Sequence, residues 1–200
     1  DAWLRGERIA PITIDMALTR ACNMRCKFCY AMLQENVLKN FEGDQRRQTP
    51  HSIDRFLDDA AEIGVKAISF VSDGESTVHP YIYEAILRGK KNGIDMALGT
   101  NGLLLKDERL EDILPALSYI RFNFSAGEPE RYAKVMGCKE KDFHKIVNTI
   151  RKCVEIKKRN NLDTTIGMQM VFMPEDKDQL APLVKLGKEL ETDYTVIKHC

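Results

Sequence analysis

Six short β-rich runs, separated by amphipathic helical stretches, constrain this 200-residue chain more than any other feature. The runs are Ile12 to Leu18, Ala67 to Val71, Ile94 to Leu98, Tyr119 to Phe124, Thr165 to Phe172 and Tyr194 to Lys198. Between the first two, His51 to Ile63 places Ile53, Phe56, Leu57 and Ala60 on one helical face, with Thr49-Pro50 as a start signal and Gly64 as a stop. Pro80 to Lys91, Asp107 to Leu114 (halted by Pro115), Asp142 to Arg159 and Gln179 to Leu190 read as further helices. In the longest of them Phe143, Ile146, Val147, Ile150 and Val154 recur at helical steps, the mark of a core-facing stripe. Strands joined through helices pair in parallel with right-handed crossovers. An open doubly wound sheet and a barrel-like curl both satisfy that rule, and periodicity leaves both open. In either, ligands gather beyond the carboxyl ends of the strands.

Charge and cysteine usage narrow the class. Lys plus Arg total 30 and Asp plus Glu total 30, so no general positive field argues for nucleic acid or an anionic membrane. The longest apolar runs fall short of a membrane span, and the first residues lack the apolar core of a secretory signal. Six cysteines with three of them bunched do not form a disulfide framework, which points to a reducing cytoplasm. Two hundred residues suit one domain, here 1–200. The chain opens without Met and stops at Cys200, from which a longer parent protein is expected.

The bunched cysteines carry the chemistry. Cys22, Cys26 and Cys29, spaced Cys-x3-Cys-x2-Cys, follow the first strand directly. A structural zinc site or a protein-saturated iron–sulfur cube wants four ligands. A cube held by three leaves one iron open, where a small molecule can be bound and activated. The alternative is a non-catalytic zinc or iron–sulfur module that borrows Cys138 or a histidine as fourth ligand. Asp73-Gly74-Glu75 follows the second strand, Asn101 the third and Ser125 the fourth, so polar groups converge on the same rim.

With those residues in view, the chain resembles the radical S-adenosylmethionine (radical SAM) enzymes. Cys22-x3-Cys26-x-Phe28-Cys29, with an aromatic just before the third cysteine, is similar to the family signature. Ser72-Asp73-Gly74-Glu75 with His79-Pro80 resembles the family's Gly-Gly-Glu motif, Thr100-Asn101-Gly102 its third strand end, and the segment from Ile120 to Gly127 its fourth. The resemblance runs over nearly the whole chain and implies an α/β fold, a partial (β/α)6 TIM-like barrel lacking its final helix. It implies a [4Fe-4S] cluster on the three cysteines, with S-adenosylmethionine chelating the fourth iron. Reductive cleavage would then give a 5′-deoxyadenosyl radical that removes a hydrogen atom from a substrate. By the same resemblance Glu75 would accept the cofactor's amino group, with Gly74 admitting backbone closely. Ser125 and Asn101 would be ribose partners, and Phe28 and Tyr30 would flank the adenine. The chain departs from the motif at Asp73, which stands where its first glycine usually is. Two roles are open for Asp73, a cofactor contact and an exposed loop carboxylate.

The other reactive residues have weaker patterns behind them. Lys134 and Arg131 follow the fourth strand and read either as contacts to the cofactor carboxylate or a substrate anion, or as solvated charge. Cys153 lies beside an apolar stripe and reads as core; Cys138 reads as a loop thiol able in principle to donate hydrogen. Cys200, just past the sixth strand, is a candidate hydrogen donor or first ligand of an auxiliary cluster in a C-terminal (SPASM or twitch) domain of the kind some relatives carry. His79 reads as a helix starter, and His144 and His199 have no companions that would make them bases. The resemblance further implies a peptide or small-molecule substrate and an electron donor such as flavodoxin or ferredoxin. A glycyl-radical activase and a tRNA-modifying enzyme are less favoured, since neither a docking segment nor a basic extension is visible.

Overall fold

The structure is a computed structural model that describes residues 3–7, 9–30, 47–71 and 73–199. Ser72 and Cys200 lie outside the described residues. Six strands form one sheet in sequence order: β1 Thr13–Asp15, β2 Ala67–Phe70, β3 Asp95–Thr100, β4 Leu117–Asn123, β5 Thr165–Phe172 and β6 Tyr194–His199. Every pairing is parallel. β1 and β6 are the edges, so the sheet is an open, singly wound curl with helices outside: the partial barrel rather than the doubly wound sheet.

The described helices are α1 Pro50–Glu62, α2 Ile82–Lys91, α3 Asp107–Ile113, α4 Pro129–Met136, α5 Glu140–Arg159 and α6 Leu180–Glu189. α1 starts where the sequence signals it. Thr49 Oγ1 accepts from Ser52 N–H at 3.1 Å and Ser52 Oγ accepts from Thr49 N–H at 3.0 Å, a reciprocal cap completed by Pro50 in the first turn. α4 went unread in the sequence because two turns carry too few apolar positions to show a period. It buries Tyr132, Val135 and Met136 and stops at left-handed Gly137. β1 is shorter than the run Ile12 to Leu18: beyond Asp15 the chain leaves the ladder, and Leu18 is fully buried as an anchor in the core.

Alternation divides the sheet into two faces. Ile68, Phe70, Leu98, Ile120, Phe122, Ile166 and Met168 are all completely buried under the helices. Each such side chain contributes about 1.5–3 kcal/mol by leaving water. The opposite parity, Ser69, Ala97, Gly99, Tyr119, Arg121, Asn123, Gly167 and Gln169, lines the inside of the curl. Ser69 Oγ and Tyr119 Oη share a 2.9 Å hydrogen bond there, spanning β2 and β4 over the small residues of β3.

Candidate active site

The cysteine loop leaves β1 and is fixed from two sides. Met24 is buried in the core, and Arg25 N–H and Lys27 N–H donate to the Met136 and Val135 carbonyls at 3.2 and 3.0 Å, seating the loop on the end of α4. On the other side Glu75 N–H donates to the Ala21 carbonyl at 2.9 Å. Gly74 makes that approach feasible. It has φ +74°, and a Cβ there would stand 2.5 Å from the Thr19 carbonyl oxygen. Asp73 pairs with Arg20 at 3.2 Å and raises the Tyr30 phenol pKa. The departure at Asp73 therefore ties the β2 loop to the cysteine loop.

Cys22, Cys26 and Cys29 are each part-buried. Burial first, then the neighbouring thiolates, push Cys26 up to about 12, and burial raises Cys22 as well. Cys22 and Cys26 so placed stay protonated unless a cationic group compensates them. Among the described residues no set of three or more His, Cys, Asp or Glu is drawn tightly enough around one point for a single metal ion. A four-iron cube makes no such demand, since each thiolate binds a different iron. Among the described residues two buried donors without partners belong to the same region: Asn23 Nδ2 within the loop, and the Tyr132 hydroxyl, whose pKa is raised first by burial and then by the nearby charge of Cys138 and Cys26. Sulfur acceptors would satisfy both. The donor set fits an iron–sulfur cluster.

Glu75 is the polar hub of the rim. Its Oε1 accepts from Thr77 N–H (3.0 Å), Thr77 Oγ1 (2.7 Å) and Thr100 Oγ1 (2.7 Å), while Oε2 accepts from Asn101 N–H (2.7 Å). Oε1 is saturated, and Oε2 keeps room for a further donor. Asn101 Nδ2 in turn donates to Asn23 Oδ1 at 2.8 Å, joining the end of β3 to the cysteine loop. Glu75, Asn101 and the cysteine loop thus form one connected network.

The remaining sequence candidates fall in several places. Ser125 is fully buried and its Oγ accepts from Val171 N–H at 3.1 Å, lacing β4 to β5 and leaving its proton to offer. Phe28 packs on the core while Tyr30 is 57% exposed. Lys134 sits on the exposed side of α4. Arg131 is neither a solvated charge nor an anion contact: it pairs with Asp176 and Asp178, both at 3.0 Å, and holds α4 to the turn after β5. Cys153 is core, with burial raising it to about 12, and Cys138 is part-buried beside the loop, raised to about 11 by burial and Asp142. His79 is buried, its Nδ1 accepting from Tyr81 N–H at 3.1 Å and its Nε2 facing the Gln48 carbonyl at 2.8 Å. His144 and His199 are exposed. The sequence reading missed Asn23, Thr77, Thr100 and Tyr132. Thr100, a two-residue step from buried Leu98 on the same strand face, had that phase as an available signal; Thr77 depends on a local turn back to Glu75, and Asn23 and Tyr132 on contacts between distant segments.

A family model, the Radical SAM superfamily, matches residues 16–186. A probable GTP 3′,8-cyclase of Thermococcus kodakarensis is 30% identical over 128 residues, 64% of this chain and 39% of that protein. A tungsten-containing aldehyde ferredoxin oxidoreductase cofactor-modifying protein of Pyrococcus furiosus is 26% identical over 92% of this chain and 50% of its own length. The chain therefore spans two fifths to a half of these curated relatives. Among solved structures, Streptococcus suis SuiB bound to S-adenosylmethionine superposes with a TM-score of 0.75 at 18% identity, covering 99% of this chain and 43% of SuiB. SuiB bound to its precursor peptide SuiA gives 0.74 at 16% identity over 99% of this chain and 41% of SuiB.

Proposed function

The chain belongs to the Radical SAM superfamily and is an enzyme, and on that premise we propose that residues 1–200 are the catalytic core that generates a radical from S-adenosylmethionine. Cys22, Cys26 and Cys29 would hold a [4Fe-4S] cluster. When bound, that cluster would supply one electron to cleave S-adenosylmethionine, giving a 5′-deoxyadenosyl radical that takes a hydrogen atom from the substrate. The observation that carries the reading is the network from Glu75 through Asn101 to Asn23, which ties the ends of β2 and β3 to the cysteine loop.

Within that network each residue has a defined task. Glu75 Oε2, the oxygen with spare capacity, accepts the cofactor's ammonium, while Thr77 and Thr100 fix the carboxylate through Oε1. Gly74 keeps the loop against Thr19 and Ala21, and Asp73 holds Arg20 beside it. Asn101 orients Asn23, and Ser125 offers its hydroxyl proton toward the ribose. Phe28 and Tyr30 supply aromatic surface for the adenine, and Lys134 a charge at the margin. Met24 and the carbonyls of α4 hold the loop against the core and keep water from beneath it.

The substrate is a peptide or a small molecule. SuiB in complex with its precursor peptide supports the first class, and the GTP cyclase relative the second. The electron donor is a flavodoxin- or ferredoxin-type protein in a reducing cytoplasm; the five described cysteines are free thiols, and no described helix is long and apolar enough to cross a membrane. Cys200, the next residue in sequence after β6, is proposed as hydrogen donor or auxiliary-cluster ligand. Electron paramagnetic resonance of the reduced, reconstituted protein tests the assignment. The cluster signal is expected to change shape on adding S-adenosylmethionine, and Glu75→Gln should weaken that response. A spectrum indifferent to S-adenosylmethionine would contradict it.

A further inference from the structure

Arg121 lies inside the curl of the sheet with no counter-charge among the described residues. Ile120 and Phe122 on either side of it are fully buried under the helices, so Arg121 faces the opposite way. Its register partners on both neighbouring strands are glycines, Gly99 on β3 and Gly167 on β5. A methyl group on Gly99 would stand 3.4 Å from Arg121 Nη2, and the ring of Tyr194 fills the place of a Gly167 side chain. The guanidinium therefore lies beside the space that the missing side chain of Gly99 leaves, while the Tyr194 ring takes the space beside Gly167. Its charge reaches that ring, opposing the rise that burial causes in the Tyr194 phenol.

Arg121 Nε is buried without a hydrogen-bond partner. Among the described residues Arg121 enters no ion pair, although Arg20, Arg88, Arg109 and Arg131 each hold a carboxylate. One rung nearer the rim, Asn123 and Gln169 are register partners, and Gln169 Oε1 is likewise buried with no donor. An unmatched cation and an unmatched acceptor thus share the same lumen. A guanidinium on a half-buried side chain, with its Nε buried and unpaired, gains from an opposite charge, and its planar fork matches an oxoanion bidentately.

We propose that Arg121 anchors an oxoanion of the substrate, a carboxylate or a phosphate, inside the barrel below the radical-forming rim, with Gln169 accepting a neighbouring N–H or O–H of the same molecule. Four residue steps run from Arg121 to Ser125, just past the end of β4, at most about 13 Å at roughly 3.3 Å per residue. The reacting carbon of such a substrate lies several bonds from its anion, on the rim side. This assignment rests on the radical-enzyme reading for the identity of the rim, but not for the anion site itself.

Calorimetric titration of the reconstituted protein tests it with two probes: GTP for phosphate, and a blocked glutamate-containing peptide for carboxylate. The wild type is expected to bind at least one of them, which identifies the oxoanion's source. Arg121→Gln should weaken that binding about tenfold or more, and Arg121→Lys by less, since the charge stays and the fork is lost. Circular dichroism checks that each variant folds; if Arg121→Gln does not, the partial loss in Arg121→Lys carries the result. Binding equal in wild type and variants, or no binding of either probe by the wild type at millimolar concentration, overturns the proposal. Failure of S-adenosylmethionine cleavage would leave this titration unaffected, so the two readings fail separately.

Discussion

At Glu75 one carboxylate collects two backbone N–H groups and two threonine hydroxyls. Glu75→Gln preserves the shape but turns one oxygen into an N–H2 group, leaving at least one buried donor facing another. A loss of about 1–3 kcal/mol in unfolding free energy is expected; an unchanged denaturation midpoint would count against the hub. Tyr132 makes the reverse case. Its hydroxyl is buried without a partner beside the cysteine loop, so Tyr132→Phe should leave the cluster-free protein as stable or up to about 1 kcal/mol more stable. A marked destabilisation would reveal a partner for the hydroxyl. The difference between these residues also marks what a sequence can disclose at this scale. Cys22, Cys26 and Cys29 were legible because their spacing is local and their chemistry rare. Thr100 was not, because an ordinary hydroxyl becomes significant only when a distant segment presents a carboxylate to it, and Thr77, two residues from Glu75, became significant only once the turn folded its hydroxyl back onto that carboxylate.

The elements around the site are held by close backbone approach and by fixed polar contacts. Gly74→Ala would place a methyl group 2.5 Å from the Thr19 carbonyl in a left-handed conformation. The β2 loop must then withdraw from the cysteine loop, and iron content after reconstitution should fall well below that of the wild type; full incorporation would contradict the coupling. His79 links the start of α2 to Gln48 by using both ring nitrogens. Burial lowers its pKa from the usual 6.5. The folded state therefore prefers the neutral ring: its contribution is present above about 6.5 and is lost as pH falls through the lowered folded value, when protonation of Nδ1 breaks the bond from Tyr81 N–H. Denaturation followed between pH 7.5 and 5 should show a decline that His79→Gln flattens; identical pH profiles would rule this out. Caps and periods made α1 and α5 readable from sequence. α4 escaped because its eight residues hold just Tyr132, Val135 and Met136 against the core, although it is the element that seats the cysteine loop.

For the whole molecule, the alternation of runs and helices established parallel α/β connectivity, but hydrophobic periodicity was blind to the choice between a doubly wound sheet and a curl. Strand order decides it. Six strands in sequence order bring every carboxyl end to one rim, the place where the cysteine loop, Glu75 and Asn101 interlock. The central claim is that this rim makes a radical from S-adenosylmethionine. Anaerobic reconstitution with iron and sulfide, followed by dithionite and S-adenosylmethionine, tests it most directly, with 5′-deoxyadenosine measured by chromatography. The account predicts 5′-deoxyadenosine from the wild type and none above background from Cys26→Ala. Stable zinc binding, with no 5′-deoxyadenosine released by a protein that has been offered iron and sulfide, would contradict it.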